Sequence, residues 1–173
     1  RYTETLADMT AAVGSQTSFN ATDFEAITSR LTRDRLRGAS AVGFVVNAQA
    51  GEAPAVQRFW RSRGAGKLSL QTVGEATDHL YLIYTRSLDH VTSATGRDLS
   101  QAVEPAAAMR LARTSGEVTA SHPYVLLKDR GLPTAWRQQS FLLAAPVIGA
   151  GGTPSAGQFL GWADGVYQVR SGN

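Results

Sequence analysis

Three histidines, His79, His90 and His122, hold most of the catalytic or metal-binding potential of this chain. A metalloprotease helix needs H-E-x-x-H to set two imidazoles on one face, and no pair here has that spacing. Asp78-His79 and Asp89-His90 join an acid to a base, but neighbours in a strand point to opposite faces. The chain has no Cys, which removes disulfides, thiolate metal ligands and a Cys nucleophile. A serine elbow needs G-x-S-x-G so that a sharp turn exposes the hydroxyl. Around Ser40 that pattern fails at Val42, and around Ser155 it fails at Thr153. A small hydrolase would have to bring Ser121 or Ser140 to His79 or His122 through the fold. Gly66-Lys67 is similar to the end of a phosphate-binding loop, but Arg61 and Leu68 stand where that loop needs Gly and Ser or Thr. Gly149-Ala150-Gly151-Gly152 is followed by Pro154 where a dinucleotide fingerprint opens a helix. These failures leave no catalytic constellation, no metal centre and no cofactor motif, and they favour binding over catalysis.

Composition narrows the partners. The 173 residues, 43% hydrophobic and 18% charged, fit one globular domain rather than a disordered chain. The net charge is +3, and of 17 basic residues only Lys67 and Lys128 are Lys. The densest cluster, Arg30, Arg33, Arg35 and Arg37, is interrupted by Asp34 and has no aromatic stacking partners. It reads as a solvated helix face rather than a nucleic-acid footprint. No window holds 18 apolar residues, so no segment reads as a membrane span. The chain opens on Arg1 rather than Met, as expected of a piece of a longer or processed protein.

The elements that would position these residues follow from periodicity. Tyr2, Leu6, Met9 and Val13 make one helical stripe that Gly14 ends. Thr22 with Glu25 fits a capping box in front of Phe24, Ile27 and Leu31. Asn20-Ala21-Thr22 is also a glycosylation sequon, though capping explains it better. Ala41–Val46 reads as a buried strand, and Pro54 opens a helix through Val56, Phe59 and Trp60 to Gly64. Leu68–Leu70 alternates weakly, and Leu80–Tyr84 is a stronger strand. Pro105 opens a helix that Gly116 closes. Strands follow at Val118–Ser121, Tyr124–Leu127, Phe141–Ile148 and Phe159–Val169, with a turn at Arg130–Pro133 and a Gly-rich loop over 149–157. Pro146 marks its strand as an edge or a bulge. Helices first, then a mixed pattern ending in a meander, predict an α+β fold with an antiparallel sheet. Residues 1–38 would carry N-terminal helices and 39–173 the α/β portion of a single domain.

From Arg58 to the last strand the chain has a recognisable layout. It reads Gly96-Arg97-Asp98-Leu99, Pro105, Ala112-Arg113-Thr114-Ser115-Gly116, Pro123-Tyr124-Val125-Leu126-Leu127 and Pro146-Val147, with Gly161-Trp162-Ala163 near the end. This order resembles the CHASE family of extracytoplasmic sensor domains. The resemblance implies a PAS-like sheet behind an N-terminal helical stalk. It also implies a place between two transmembrane helices of a receptor that feeds a histidine kinase or a nucleotide cyclase such as a diguanylate cyclase. The implied partner is a small molecule bound outside the cell, and plant members are cytokinin receptors.

By that resemblance Asp98 matches an Asp that hydrogen-bonds the ligand's adenine ring, and Ser121 matches a neighbouring Thr. Tyr84, Met109, Leu111 and Tyr124 would line the pocket from strands and helix. Each has a plainer reading: Asp98 as a turn or cap residue, Ser121 as a strand-end hydroxyl, the apolar ones as core. His122 stands where plant members carry a small residue, so the ligand's identity is open. The Tyr2–Val13 stripe would pack on a twin helix in a homodimer. An interaction module of the same fold that recognises a protein partner is the alternative.

Overall fold

The computed structural model describes residues 2–16, 18–31, 39–88, 95–125, 131, 133, 139–147 and 163–170. Arg33, Arg35, Arg37, His90, Leu126, Leu127, the loop 149–157 and the 161–162 part of the closing motif lie outside them. The elements are α1 (Tyr2–Gly14), α2 (Ala21–Thr28), β1 (Ala39–Gln49), α3 (Ala53–Arg61), β2 (Asp78–Ser87), α4 (Val103–Ser115), β3 (Thr119–Ala120), β4 (Tyr124–Val125), β5 (Gln139–Val147) and β6 (Ala163–Arg170).

Every strand pairing is antiparallel, in the order β2-β1-β6-β5-β3, with β4 also on β5. Taken as one strand broken around Pro123, β3 and β4 complete the order second-first-fifth-fourth-third. The fold is the α+β, PAS-like arrangement expected from the sequence. Ser121 bridges the break. Its N–H donates to the Leu142 carbonyl at 2.8 Å, and its Oγ accepts the Leu142 N–H at 2.9 Å. A side-chain oxygen thus stands in for the ladder carbonyl that the turn into Pro123 withdraws. Pro146 pairs with Asp164 of β6 beyond the reach of β3, so among the described residues β5 is locally an edge there, where a missing N–H costs nothing.

Strand alternation gives the sheet two buried faces. Val42, Phe44, Val46 and Ala48 of β1 face the layer of α1, α2 and α3. Val45 faces the opposite side with Leu80, Leu82, Leu142 and Ala144, under Ala106, Ala108, Met109 and Ala112 of α4. A bulge shifts the register of β2: Phe44 pairs with Tyr84 but Val45 with Leu82, leaving Ile83 unopposed. That extra residue turns Tyr84 to the same face as Tyr81 and Ile83.

Three expectations need correcting. The cap of α2 is Asn20, not Thr22: Asn20 Oδ1 accepts the Asp23 N–H at 3.0 Å, and Asp23 Oδ2 accepts the Asn20 N–H at 3.2 Å. Leu68–Leu70 forms no strand; only Gln71 makes a bridge, to Arg97. The stripe on α1 is not free for a twin. Leu6 is fully buried, and Tyr2, Met9 and Val13 pack against the chain's own core. The apolar sheet face next to α1 supplied a partner within the same chain.

Candidate functional site

Strand β2 carries two polar arrangements, one at each end. At its start, the segment Gly96–Leu99 lies along the outer edge. Leu82 and Leu99 donate their N–H groups to the carbonyls of Arg97 and Leu80, and Gln71 donates to Gly96. Gly96 sits at φ +84°, and a Cβ there would stand 2.0 Å from the Ser69 carbonyl oxygen, so only glycine fits. This close approach delivers Asp98 to the interior, 4% exposed.

The carboxylate of Asp98 is fully engaged. Oδ1 accepts the N–H groups of Ser100 at 3.0 Å and Leu80 at 3.3 Å; Oδ2 accepts Val73 N–H at 3.0 Å and His79 Nδ1 at 2.6 Å. Burial alone would raise its pKa. The donors at Val73, Ser100 and His79 outweigh that effect and hold it below the usual carboxylate value. An ionised Asp98 only accepts, so His79 Nδ1 carries the proton, and Nε2 is buried with no hydrogen-bond partner among the described residues. The His79 ring lies 5.8 Å from the Tyr81 ring at 26°. The Tyr81 hydroxyl in turn meets Thr72 Oγ1 at 2.6 Å. Ser100 Oγ stands 3.5 Å from Nδ1, the nitrogen Asp98 already holds, so it is not placed as a nucleophile for Nε2.

At its other end β2 lines an open cleft of about 620 Å³, within the range of small-molecule sites. Phe24 and Tyr84 border it with narrow accessible edges, Ile83 and Leu68 lie almost fully buried beneath, and Glu25, Lys67 and Arg86 supply its charges. Phe24 and Tyr84 stack at 5.5 Å and 28°, and behind them Phe19, Phe44 and Trp60 complete an aromatic cluster. Tyr84 is anchored: its O–H donates to the Arg63 carbonyl at 2.7 Å, and burial pushes its phenol pKa up. The turn after α3 reaches the start of α2 through the bond from Ala21 N–H to that same carbonyl. Gly64, at φ +95°, allows this approach, since a Cβ would stand 2.6 Å from Ala21 Cβ.

The six residues expected to share a pocket are not gathered in one. Tyr84 lines the cleft on the helical face of the sheet. Met109 is fully buried on the opposite face under α4, with Tyr124 packed beside it. Leu111 is 56% exposed on the outside of α4. The Ser121 hydroxyl donates to the His122 carbonyl while accepting from Leu142, so both its roles are occupied. Asp98 has no unfilled acceptor position. The sequence reading missed Glu25, Lys67 and Arg86, which come from three separate segments and carry no motif.

A family model described as CHASE domain matches residues 17–171, nearly the whole chain. No curated protein matches. Among solved structures the chain is similar to one named Methyl-accepting Chemotaxis protein X. The identity is 11% and the TM-score 0.46, over 97% of this chain and 54% of that one. The chain therefore spans about half the length of that structure.

Proposed function

The chain belongs to the CHASE domain family, and from that premise we propose that it is the ligand-sensing part of a bacterial membrane signalling protein. CHASE domains are sensory rather than catalytic, and they are generally the extracytoplasmic portions of membrane proteins. Among the described residues no helix is long and apolar enough to cross a membrane. In this reading flanking transmembrane helices join the domain to a histidine kinase or nucleotide cyclase inside the cell. The bound partner is a small molecule, and the domain needs no cofactor of its own.

The observation that carries the reading is the cleft beside Tyr84: an aromatic floor, a charged rim and a volume suited to a metabolite. It lies against α2, which packs with α1, so a ligand there is one element away from the N-terminal helix. Asp98, Ser121, Met109 and Tyr124 support the site by holding the sheet in shape. A homodimer built on α1 would use the outer side of that helix, around Glu4, Ala7, Asp8 and Ala11, which are exposed.

A thermal-shift screen of this chain against small metabolites, adenine derivatives included, tests the proposal. A ligand at 100 times its Kd adds about 2.7 kcal/mol of stability, a rise of several degrees. Gly66→Phe fills the cleft from a position whose Cβ would meet nothing within 4 Å. A hit abolished by Gly66→Phe with folding intact supports the site. A hit that survives it places binding elsewhere, and no hit from the whole library counts against sensing. One feature favours a protein partner instead: Val103, Ala107 and Leu111 form an exposed apolar stripe along α4, with Val103 74% exposed.

A further inference from the structure

The sensor reading leaves open what class of molecule the cleft selects, and the placement of charge around it answers that. Lys67 and Arg86 both line the cleft. Among the described residues neither has a carboxylate partner; the ion pair found there joins His79 to Asp98, at the far end of β2. A cation without a partner beside a concave apolar surface is a donor still available to a ligand.

Three of the four hydroxyls that line the cleft are already committed, and the fourth, on Thr95, is a neutral donor. Thr28 Oγ1 donates to the Phe24 carbonyl at 2.8 Å, Thr85 Oγ1 to the Val42 carbonyl at 3.4 Å, and Tyr84 to Arg63. Strong donation to a bound molecule therefore falls to the ammonium of Lys67 and the guanidinium of Arg86. Glu25 lies on the same wall, and two cations against one carboxylate leave a single net positive charge. That balance matches a monoanion and disfavours a polyanion such as a nucleotide, which Glu25 would repel. The floor presents the accessible edges of Phe24 and Tyr84, with Ile83 and Leu68 almost fully buried beneath them.

We propose that the cleft binds a small organic monoanion, a carboxylate on an aromatic or aliphatic body, with the carboxylate held by Lys67 and Arg86 and the body laid on Phe24 and Tyr84. This rests on the cleft being the sensor's ligand site. The recognition is by charge at the rim and area at the floor, so affinity should fall with salt as well as with loss of the cations.

The test compares three probes of similar shape on this chain: phenylacetate, its neutral amide phenylacetamide, and the cation phenethylamine. Binding is followed by thermal shift and by the fluorescence of Trp60, whose ring lies 5.8 Å from that of Tyr84. The expected result is phenylacetate binding at least tenfold tighter than the amide, with no measurable binding of the amine. The Lys67→Gln/Arg86→Gln pair should weaken phenylacetate tenfold or more and leave the amide unchanged. Equal binding of acid and amide, preference for the amine, no binding of phenylacetate, or acid binding untouched by the double variant would each overturn the proposal. A neutral metabolite whose binding is lost in Gly66→Phe would sink the anion and keep the sensor. A folded chain that answers no metabolite of any charge would sink both.

Discussion

The two ends of β2 treat polar groups in opposite ways. Around His79 and Leu80 the carboxylate of Asp98 is buried and accepts four protein hydrogen bonds. Around Ile83 to Arg86 the strand borders open space, and its cation is unpaired among the described residues. Buried polar atoms that satisfy one another stabilise a fold and have little capacity left for a visitor. Charges left unpaired at the mouth of a cavity contribute nothing to the fold and remain available for recognition. The contrast sets a carboxylate whose acceptor positions are filled by the protein against a cleft whose cations are not, and the proposed ligand site follows the second, although the family resemblance alone points to Asp98.

The strongest way to break that contrast is Asp98→Ala. Removing the carboxylate leaves three backbone N–H groups and His79 without their acceptor in the interior, at a cost of about 3–5 kcal/mol. Urea unfolding should show most of the domain's stability gone with no ligand present. Gly96→Ala should cost about 3 kcal/mol through the positive φ and the collision with Ser69. If Asp98→Ala instead unfolds at the wild-type midpoint, the carboxylate is not holding the fold and returns as a ligand contact. Loss of binding in Asp98→Ala therefore means nothing until its stability has been measured.

Acid sharpens the same point. Asp98 has a folded pKa below its unfolded value of about 3.9. Its contribution is thus complete above about pH 4 and disappears as pH falls through the folded value. The urea midpoint should drop as pH falls below about 4 in the wild type, and drop less in Asp98→Asn, which has no such carboxylate to protonate. Parallel pH curves for the two proteins would mean that other carboxylates dominate acid unfolding.

These assignments also show where the sequence was legible. Apolar periodicity located α1, α3 and α4, and Pro105 and Gly116 framed α4 closely, because those signals are local. The start of α2 was ambiguous for a local reason too. Asn20 with Asp23 and Thr22 with Glu25 both fit a capping box, and only the entry of the chain past Arg63 selects Asn20. The stripe on α1 was readable but its partner was not, since a stripe predicts burial without saying against what. The Gly96–Leu99 motif was visible, yet its meaning depends on Val73, His79 and Leu80, some 18–25 residues away in sequence. The cleft had no signature at all. Glu25, Lys67 and Arg86 come from distant segments to line one cleft, and Gly64 lets the turn after α3 approach α2 at its side.

A smaller effect separates floor from rim within the cleft. Tyr84→Phe removes the bond to the Arg63 carbonyl and keeps the ring on Phe24. The expected cost is about 1 kcal/mol, or roughly 2–4 °C in Tm. Phenylacetate affinity should change less than twofold, because that hydroxyl donates into the protein rather than toward a ligand. A large loss of affinity with unchanged Tm would show that the phenol reaches the ligand after all.

The smallest expected change is at Leu111, and it decides between a pocket residue and a surface one. Its side chain projects from α4 on the side away from Met109 and Ala112, which carry the burial of that helix. Leu111→Ser should leave stability within about 0.5 kcal/mol, as exposed substitutions usually do. It should also leave binding at the cleft unaltered, since the sheet and α4 itself stand between them. What it removes is half of a pair of exposed apolar side chains with Val103. If the stripe is an interface, the variant will change the self-association or partner capture of the domain in sedimentation while Tm and ligand affinity hold still. If all three stay constant, the stripe is ordinary surface, and the cleft carries the recognition alone.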